Sequence, residues 1–530
     1  MNLPFSQLEL GAILPEIILV LGMCVALLVP VLPPFRRAAR ASHSIMAVIT
    51  LATLAGAFFS AASLQAGWFG LTVPEFRILA NTFAVDRFAL TFKLILYAFT
   101  ILVVIQWIAT SRHRIRAIDG PDYITLILGG VLGMSLMSGA SNFLLIFLAI
   151  ESASFPSYAL AGFMKSTRRG SEAGLKYVLF GAVASASMLF GLSYLYGSYG
   201  TLDLTAVAQA AGAQGMSIGL LMGLFGLLIG IGFKLSAVPV HFWCPDVFEA
   251  APIEITTFLS VASKGAAITL LLRVLMTLGF FAQPAHSEGM VVGIGAAVGM
   301  VGLVTATWGN LAAYFQDNIK RLLAYSSIAH AGYMIMGCAL LSSALNKNTA
   351  ASREVLIALM FYVFVYAFMN LGAFTVAAAV ARATGSESLR DYSGLARRNP
   401  LLALTLGVFL MSLFGMPLTG GFWGKVFIGV QMWQHGYAWL VVGLVINTVF
   451  SLYFYLKPII YMVWKEPGDR PAVAAPPLAL ALLALALLGV FATGIIPDQS
   501  TGFLRNVEMT LAPVPHTAAS TALLPDAADR

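Results

Sequence analysis

The sequence predicts an all-α polytopic membrane protein of about 14 transmembrane helices, with two inverted five-helix repeats and discontinuous helices. Three observations predict it. Of 530 residues, 59% are hydrophobic and only 10% charged, against about 25% charged in a soluble domain. Fourteen apolar runs each approach the roughly 20 residues a helix needs to cross a hydrocarbon core. Two of the longest runs contain Gly and Pro in mid-run, and breaks at membrane depth are tolerated only where protein or a water-filled cavity satisfies the freed backbone groups.

The runs lie near 11–33, 45–64, 87–110, 123–139, 142–163, 177–198, 216–243, 253–281, 289–308, 323–342, 354–381, 401–430, 436–461 and 474–495. No basic segment precedes the first run, it exceeds the length of a signal core and no small-residue cleavage site follows, so it is read as an anchor. The loops after odd-numbered runs hold 19 of the 30 Lys and Arg, among them Arg36, Arg37, Arg40, Arg112, Arg114, Arg116, Arg168, Arg169, Arg397 and Arg398. The opposite loops and tails hold Arg77, Arg87, Lys347, Arg353, Arg505 and Arg530. By the positive-inside rule both termini face outward. A net charge of +7 could suit a nucleic acid, but here the basic residues sit in short separated loops, whereas nucleic-acid binders cluster them on one face. No nucleic-acid partner is expected; the bilayer is.

The run 216–243 carries Lys234 and then Pro239, and the run 401–430 carries Gly415, Pro417, Gly420, Gly421 and Gly424 before Lys425. Runs 4–8 and 9–13 then form two five-helix units with the broken helix fourth in each, and an odd number of spans inverts the second unit. Interrupted segments at matching positions of inverted repeats point to a transport pathway. The expected organisation is a three-helix segment at 1–122, a first unit at 123–288, a second at 289–470, and a last helix with an outer tail at 471–530. Polar stretches are confined to 65–86, the basic loop 382–400 and the loosely held tail 496–530.

Cys24, Cys244 and Cys338 are far apart and form no paired ligand pattern, and neither a Gly-x-Gly-x-x-Gly turn nor a Walker A loop occurs, so no metal, cluster, flavin, nicotinamide or ATP site is signalled. Energy for transport is expected to come from outside the chain. The informative residues are basic ones inside apolar runs: Lys93, Lys234, Lys264, Arg273 and Lys425. Ionisable groups at membrane depth are costly and functional by default. Burial disfavours the charged form of lysine, which lets it take and release protons.

Glu151, opening Glu-Ser-Ala-Ser-Phe-Pro, is the natural partner of Lys234; the alternative is a static pair that only joins helices. Lys264 supplies the next basic station, or else snorkels, and Lys425 a further one in the second unit. Lys93 and Arg273 are weaker candidates whose long stems could reach an interface. His330, in Ser-Ser-Ile-Ala-His-Ala-Gly-Tyr, is a possible relay or a hydrogen-bonded core histidine. His241 is a weak candidate that could gate entry or merely sit at the interface beside Trp243. Glu16 and Glu254 lie near span ends and are read as interfacial.

The stretch from Gly232 to Pro252, Gly-Phe-Lys-Leu-Ser-Ala-Val-Pro-Val-His-Phe-Trp-Cys-Pro-Asp-Val-Phe-Glu-Ala-Ala-Pro, closely resembles the N-type antiporter-like subunits of NADH-quinone oxidoreductase, respiratory complex I. Asn-Ile-Lys-Arg-Leu-Leu-Ala-Tyr-Ser-Ser-Ile-Ala-His-Ala-Gly-Tyr from Asn318 and Gly-Met-Pro-Leu-Thr-Gly-Gly-Phe-Trp-Gly-Lys from Gly415 extend the resemblance in order from run 4 to run 13. The Lys-Leu-Ser start and a chain ending after fourteen spans, without room for a lateral helix, favour the N type over its larger relatives. The resemblance implies two inverted repeats and a role as the proton-translocating subunit of a translocase. It places Glu151, Lys234, Lys264 and Lys425 on the proton path. It also implies that FMN, iron–sulfur clusters, NADH and quinone are handled by other subunits, with antiporter-like subunit M and small subunits K and J as neighbours in a bacterial inner membrane. Glu254, in Ala-Ala-Pro-Ile-Glu-Ile, departs from the family, where a Gly or Ser near 250 and a second Pro near 253 are expected.

Rival readings are a subunit of a sodium–proton antiporter complex, a subunit of a relative that takes electrons from ferredoxin or hydrogen, and a structural membrane scaffold.

Overall fold

The structure, a computed structural model, describes residues 7–29, 42–67, 76–79, 81–111, 119–165, 167–282, 284–340, 349–497, 502–505 and 507–509. Arg36, Arg37, Arg40, Arg112, Arg114, Arg116, Lys347 and Arg530, and most of the tail, lie outside the described residues.

Every apolar run is helical where described. In chain order the membrane elements are α1 (Leu14–Leu28), α2 (Ser42–Ala66), α3 (Arg87–Gln106), α4 (Gly120–Gly139), α5 (Phe143–Ala161), α6 (Arg168–Tyr199), α7 (Ile218–Leu235), α8 (Trp243–Ala250) and α9 (Ile253–Phe281). They continue as α10 (Pro284–Ala313), α11 (Ile319–Cys338), α12 (Thr349–Thr384), α13 (Pro400–Phe414), α14 (Gly420–Gln434), α15 (Ala438–Trp464) and α16 (Pro477–Ile495). Among the described residues, eleven helices are individually long and apolar enough to cross a membrane. Of the other predicted spans, α1 is short, α11 is less apolar, and α13 and α14 are the halves of a broken helix. The chain is a multi-pass membrane protein.

Both breaks fall where Gly and Pro predicted them. Helix α7 stops at Leu235 and α8 starts at Trp243; α13 stops at Phe414 and α14 starts at Gly420. The first break turns on Ser236 at φ 58° and the second on Gly415 at φ 96°. A left-handed conformation suits glycine; in serine it stores strain of a kind that clusters at functional sites.

The two sets of helices pack in the same order. The first helix of each set lies on its second and its fifth, and the third lies on both halves of the broken fourth. Each set also ties the start of its second helix to the end of its third by one antiparallel bridge, Asn142 to Asp203 and Asn318 to Ser388. In each case the Asn side chain caps the helix that follows, Asn142 accepting from Leu144 N and Asn318 from Lys320 N and Arg321 N. Small residues bring the first two helices of each set close: a Cβ on Gly133 would stand 2.2 Å from Ala153 N, and one on Gly332 2.4 Å from Ala306 N. Such contacts replace the hydrophobic drive that lipid cannot supply.

The stretch 65–86 is not all loop. Phe76–Ile78 and Phe83–Val85 form a two-stranded antiparallel hairpin, closed against α4 by a bridge from Phe83 to Ala140. The described end of the tail is also anchored: Leu504 and Val507 are buried, Glu508 O accepts from Phe88 N, and the Glu508 carboxylate pairs with Arg353.

Four residues read from sequence as reaching an interface are instead buried. Lys93 Nζ pairs with Glu16 Oε1 at 2.7 Å, and that oxygen also accepts from Ser135 Oγ at 2.5 Å. Arg273 forms two bonds with Asp86, at 2.8 and 3.0 Å, and a third with Ser138 O at 3.0 Å. Glu254 accepts from Tyr123 OH at 2.9 Å. The helices adjoining these residues cover them, so no long stem needs to reach water.

Removing one partner of a buried pair leaves an uncompensated charge, at a cost of about 3–5 kcal/mol. Asp86→Ala is therefore expected to lower the thermal stability of the purified complex by about that amount. Asp86→Leu combined with Arg273→Met is expected to recover most of the loss; equal stability of Asp86→Ala and the parent would contradict the pairing.

Candidate functional site: a line of buried bases through both breaks

Lys234 occupies the last turn of α7, immediately before the first break. It is 1% exposed, and among the described residues its Nζ has no hydrogen-bond partner. Glu151 on α5 is the charge whose field reaches it, but no direct ion pair closes. The carboxylate instead accepts from Ser185 Oγ of α6. The expected Glu151–Lys234 pair is thus not a direct contact in the structure: the carboxylate is held by Ser185 instead.

His241 sits inside the break rather than at an interface, 3% exposed, its Nδ1 unpartnered and its ring against Phe242 and Trp308. Trp243 fastens the break by donating from Nε1 to Phe233 O at 3.0 Å and stacking on Tyr177.

Lys264 lies in α9, whose membrane-crossing segment is wholly enclosed by other helices. The turn immediately before it, Leu259–Ser263, is a π turn, a feature frequent at functional sites. Snorkelling is excluded by this burial. Lys264 Nζ donates to Ser327 Oγ on α11 at 2.8 Å, which joins the first unit to the second.

One turn further along α11, His330 is held by tyrosines from two other helices. Tyr362 OH lies 2.7 Å from Nδ1 and Tyr455 OH 3.1 Å from Nε2, while Tyr366 stacks on the ring with centroids 4.9 Å apart. In either neutral tautomer one ring nitrogen donates and the other accepts. The cations whose fields reach this ring are Lys264 and Lys425.

Lys425 sits in α14, after the second break rather than before it. Its Nζ donates to Phe414 O, the final carbonyl of α13, at 2.6 Å. It lies 4.9 Å from the centre of the Tyr333 ring. A cation at a helix C-terminus is favoured by the unpaired carbonyls and the helix dipole, so the break itself makes the seat for this lysine.

Sequence reasoning missed the neighbours. Ser327 and Tyr333 flank His330 at three residues on either side, the spacing of one helix face, and could have been found. Tyr362 and Tyr455 come from α12 and α15, and nothing local announces them. Lys320 was also missed: it is buried and donates to Glu249 O, Ala251 O and Glu387 Oε1. Among the described residues, no cluster of three or more His, Cys, Asp or Glu could hold a metal ion.

Paired helix breaks, each carrying a buried lysine, with a buried histidine between, define an antiporter-like membrane subunit. Residues 140–451 match the family described as NADH:quinone oxidoreductase/Mrp antiporter, transmembrane. The chain is 38% identical to NADH-quinone oxidoreductase subunit N of Anaeromyxobacter sp. (strain Fw109-5), over 91% of its own length and 92% of that protein. It is also 38% identical to subunit N of Trichlorobacter lovleyi, over 94% and 97%. NAD(P)H-quinone oxidoreductase subunit 2 of Nostoc punctiforme is 37% identical over 88% and 82%. Among solved structures, a chain of respiratory complex I from Thermus thermophilus matches with TM-score 0.72 and 31% identity, covering 92% of this chain and 98% of that one. A chain of the Mrp complex from Dietzia sp. shares the fold at TM-score 0.76 and 19% identity, covering 98% of this chain and 100% of that one. The chain belongs to the subunit N family of NADH-quinone oxidoreductase.

Ser327 is the hydrogen-bond partner of Lys264, and a bond to a charged group contributes about 1.5–3 kcal/mol. Ser327→Ala is expected to slow coupled proton pumping several-fold in the assembled complex while leaving NADH oxidation by an artificial acceptor unchanged. Parental pumping would show that the bond is only structural.

Proposed function

We propose that this chain moves protons across a bacterial inner membrane as a subunit of NADH-quinone oxidoreductase, with Glu151, Lys234, Lys264 and Lys425 as stations and His330 as the relay between the two units. The observation that carries the reading is the contrast among the buried cations. Lys93 and Arg273 are fixed by carboxylates, whereas Lys234 has no partner, Lys264 has a hydroxyl and Lys425 a carbonyl. A buried lysine without a carboxylate is free to exist in either protonation state; one locked to a carboxylate is not.

Electron transfer belongs to other subunits, which carry FMN, iron–sulfur clusters, NADH and quinone; neighbours in the membrane include the antiporter-like subunit M and the small subunits K and J. Both termini face the periplasm. The functional units are 123–288 and 289–470, framed by the three-helix segment 1–122 and by 471–530. His241 acts at most as a gate in the first break.

In this reading, an approaching or retreating negative charge at Glu151 changes the proton occupancy of Lys234, turning a signal from the redox subunits into a proton step. Lys264, across α9, exchanges protons through Ser327 and water with His330, whose tyrosine partners let it pass a proton from one ring nitrogen to the other. Lys425 receives it at the second break and releases it outward.

Glu151→Gln is expected to leave NADH oxidation by an artificial acceptor intact in membranes containing the assembled complex, while cutting quinone reduction coupled to pumping. Lys234→Ala is expected to be at least as severe. The double variant should lose less than the sum of the two, since both changes remove one interaction. Additive losses would show independent roles, and parental pumping by both single variants would sink the proton-path reading.

A further inference from the structure

Glu254 has a structural setting of its own. Where α8 ends and α9 begins, a cavity of about 710 Å³ opens at the junction of the two units, lined by Glu249, Glu254, Asp317, Lys320 and Glu387 among others. The helix ends around it belong to the face that carries the basic loops near 164–176, 309–322 and 382–400. Most of its ionisable residues are satisfied: Lys320 donates to Glu387 and to the carbonyls of Glu249 and Ala251, and Glu249 pairs with Arg321.

Glu254 differs. It is 1% exposed and lines the cavity. Its Oε1 accepts from Tyr123 OH at 2.9 Å, while its Oε2 is buried without a hydrogen-bond partner. An orphaned carboxylate oxygen at a cavity wall is a costly arrangement, relieved when water or a proton occupies it.

From Glu254 the same helix leads to Lys264, about 15 Å away at 1.5 Å per residue. Between them Thr257, Ser260 and Ser263 follow at every third position, and all three are buried. A row at every third residue winds obliquely around a helix, so these hydroxyls step from one side of α9 to the other, roughly 4.5 Å apart along the axis. Thr257 and Ser260 donate to backbone carbonyls one turn back, at 2.9 and 2.8 Å, which leaves each oxygen able to accept. Ser263 Oγ is unpartnered. The row runs through the π turn and reaches Lys264 inside a helix with no lipid-facing side.

We propose that Glu254 is the proton-loading group that supplies Lys264 from the cytoplasmic side, a role that rests on Lys264 being a proton station. The Glu254 carboxylate takes a proton from a hydronium ion in the cavity, leaving water. The acid then gives that proton to the row of hydroxyls and intervening water, each member accepting one proton as it passes its own onward. The neutral Lys264 amine takes the last one to become ammonium, and Glu254 returns to the carboxylate. Tyr123 is a positioning residue that orients the carboxyl group.

The test uses the assembled complex in inverted membrane vesicles, with proton uptake followed by a pH-sensitive dye and NADH oxidation by an artificial acceptor as the control. Glu254→Gln keeps the size and the acceptor for Tyr123 but cannot cycle a proton. It is expected to lower coupled pumping about a hundredfold or more, within the range that positioned proton-transfer groups supply, with the control activity unchanged. Glu254→Asp is expected to restore most of the rate, which a purely structural role would not do. Ser260→Ala interrupts the row and is expected to slow pumping several-fold; it carries the same test if Glu254→Gln fails to assemble. Lys264→Met separates the two claims. If Lys264→Met abolishes pumping while Glu254→Gln and Ser260→Ala pump at the parental rate, the loading role is overturned and the lysine path stands. If Lys264→Met also pumps normally, the station itself is wrong and the loading role falls with it.

Discussion

Everything distinctive in this chain depends on keeping broken backbone and ionised side chains away from hydrocarbon. A helix that stops at membrane depth exposes carbonyl and amide groups, and each left unsatisfied costs several kcal/mol in lipid. The protein meets this constraint by enclosure. Helix α9 is buried along its whole membrane segment, and α12 nearly so, while the outer helices α6 and α15 present much of their surface to lipid. The first break is closed by the indole of Trp243 on Phe233 O, and the second by Lys425 on Phe414 O. In the second case the group that repairs the backbone is itself ionisable, so the local structure of the break and the proton occupancy of the lysine are coupled by one hydrogen bond.

The same constraint sorts the buried cations. Toward the ends of the spans, Lys93 pairs with Glu16 within the three-helix segment, and Arg273 pairs with Asp86 across to the first unit. Arg77 extends this scaffold, bonding Asp203 and Thr205. Nearer the breaks the pairing becomes incomplete: a carboxylate at a distance for Lys234, a hydroxyl for Lys264, a carbonyl for Lys425. Stability is concentrated where charges are fully paired, and adjustable chemistry is placed where they are not. Only a group whose two protonation states are close in free energy can respond to a neighbour's charge.

The two units communicate through contacts at different levels. Deep in the protein, the bond from Lys264 to Ser327 and the tyrosine cradle of His330 join α9, α11, α12 and α15. On the face of the basic loops, Asp246 of α8 is shared by Lys176 of α6 and Arg321 of α11. The short helix after the first break is thus tied to the second unit by charge.

The apolar runs, the two breaks and the candidate lysines were all legible in the sequence, because span length, helix-breaking residues and charge inside hydrocarbon are local properties that the bilayer enforces one segment at a time. Glu151 and Lys234 were recognisable as partners by charge and depth. The bond from Ser185 of a third helix to the carboxylate was not. The burial of Lys93, Arg273, Glu16 and Glu254 also escaped the sequence: a charge near the end of a span can snorkel or be covered, and its own segment does not say which. Tertiary packing alone decided that, as it decided the hairpin at 76–85, the tyrosines around His330 and the cavity at Glu254. Side chains brought together from distant parts of the chain, as Asp86 is with Arg273 187 residues away, leave no periodicity for a sequence to display.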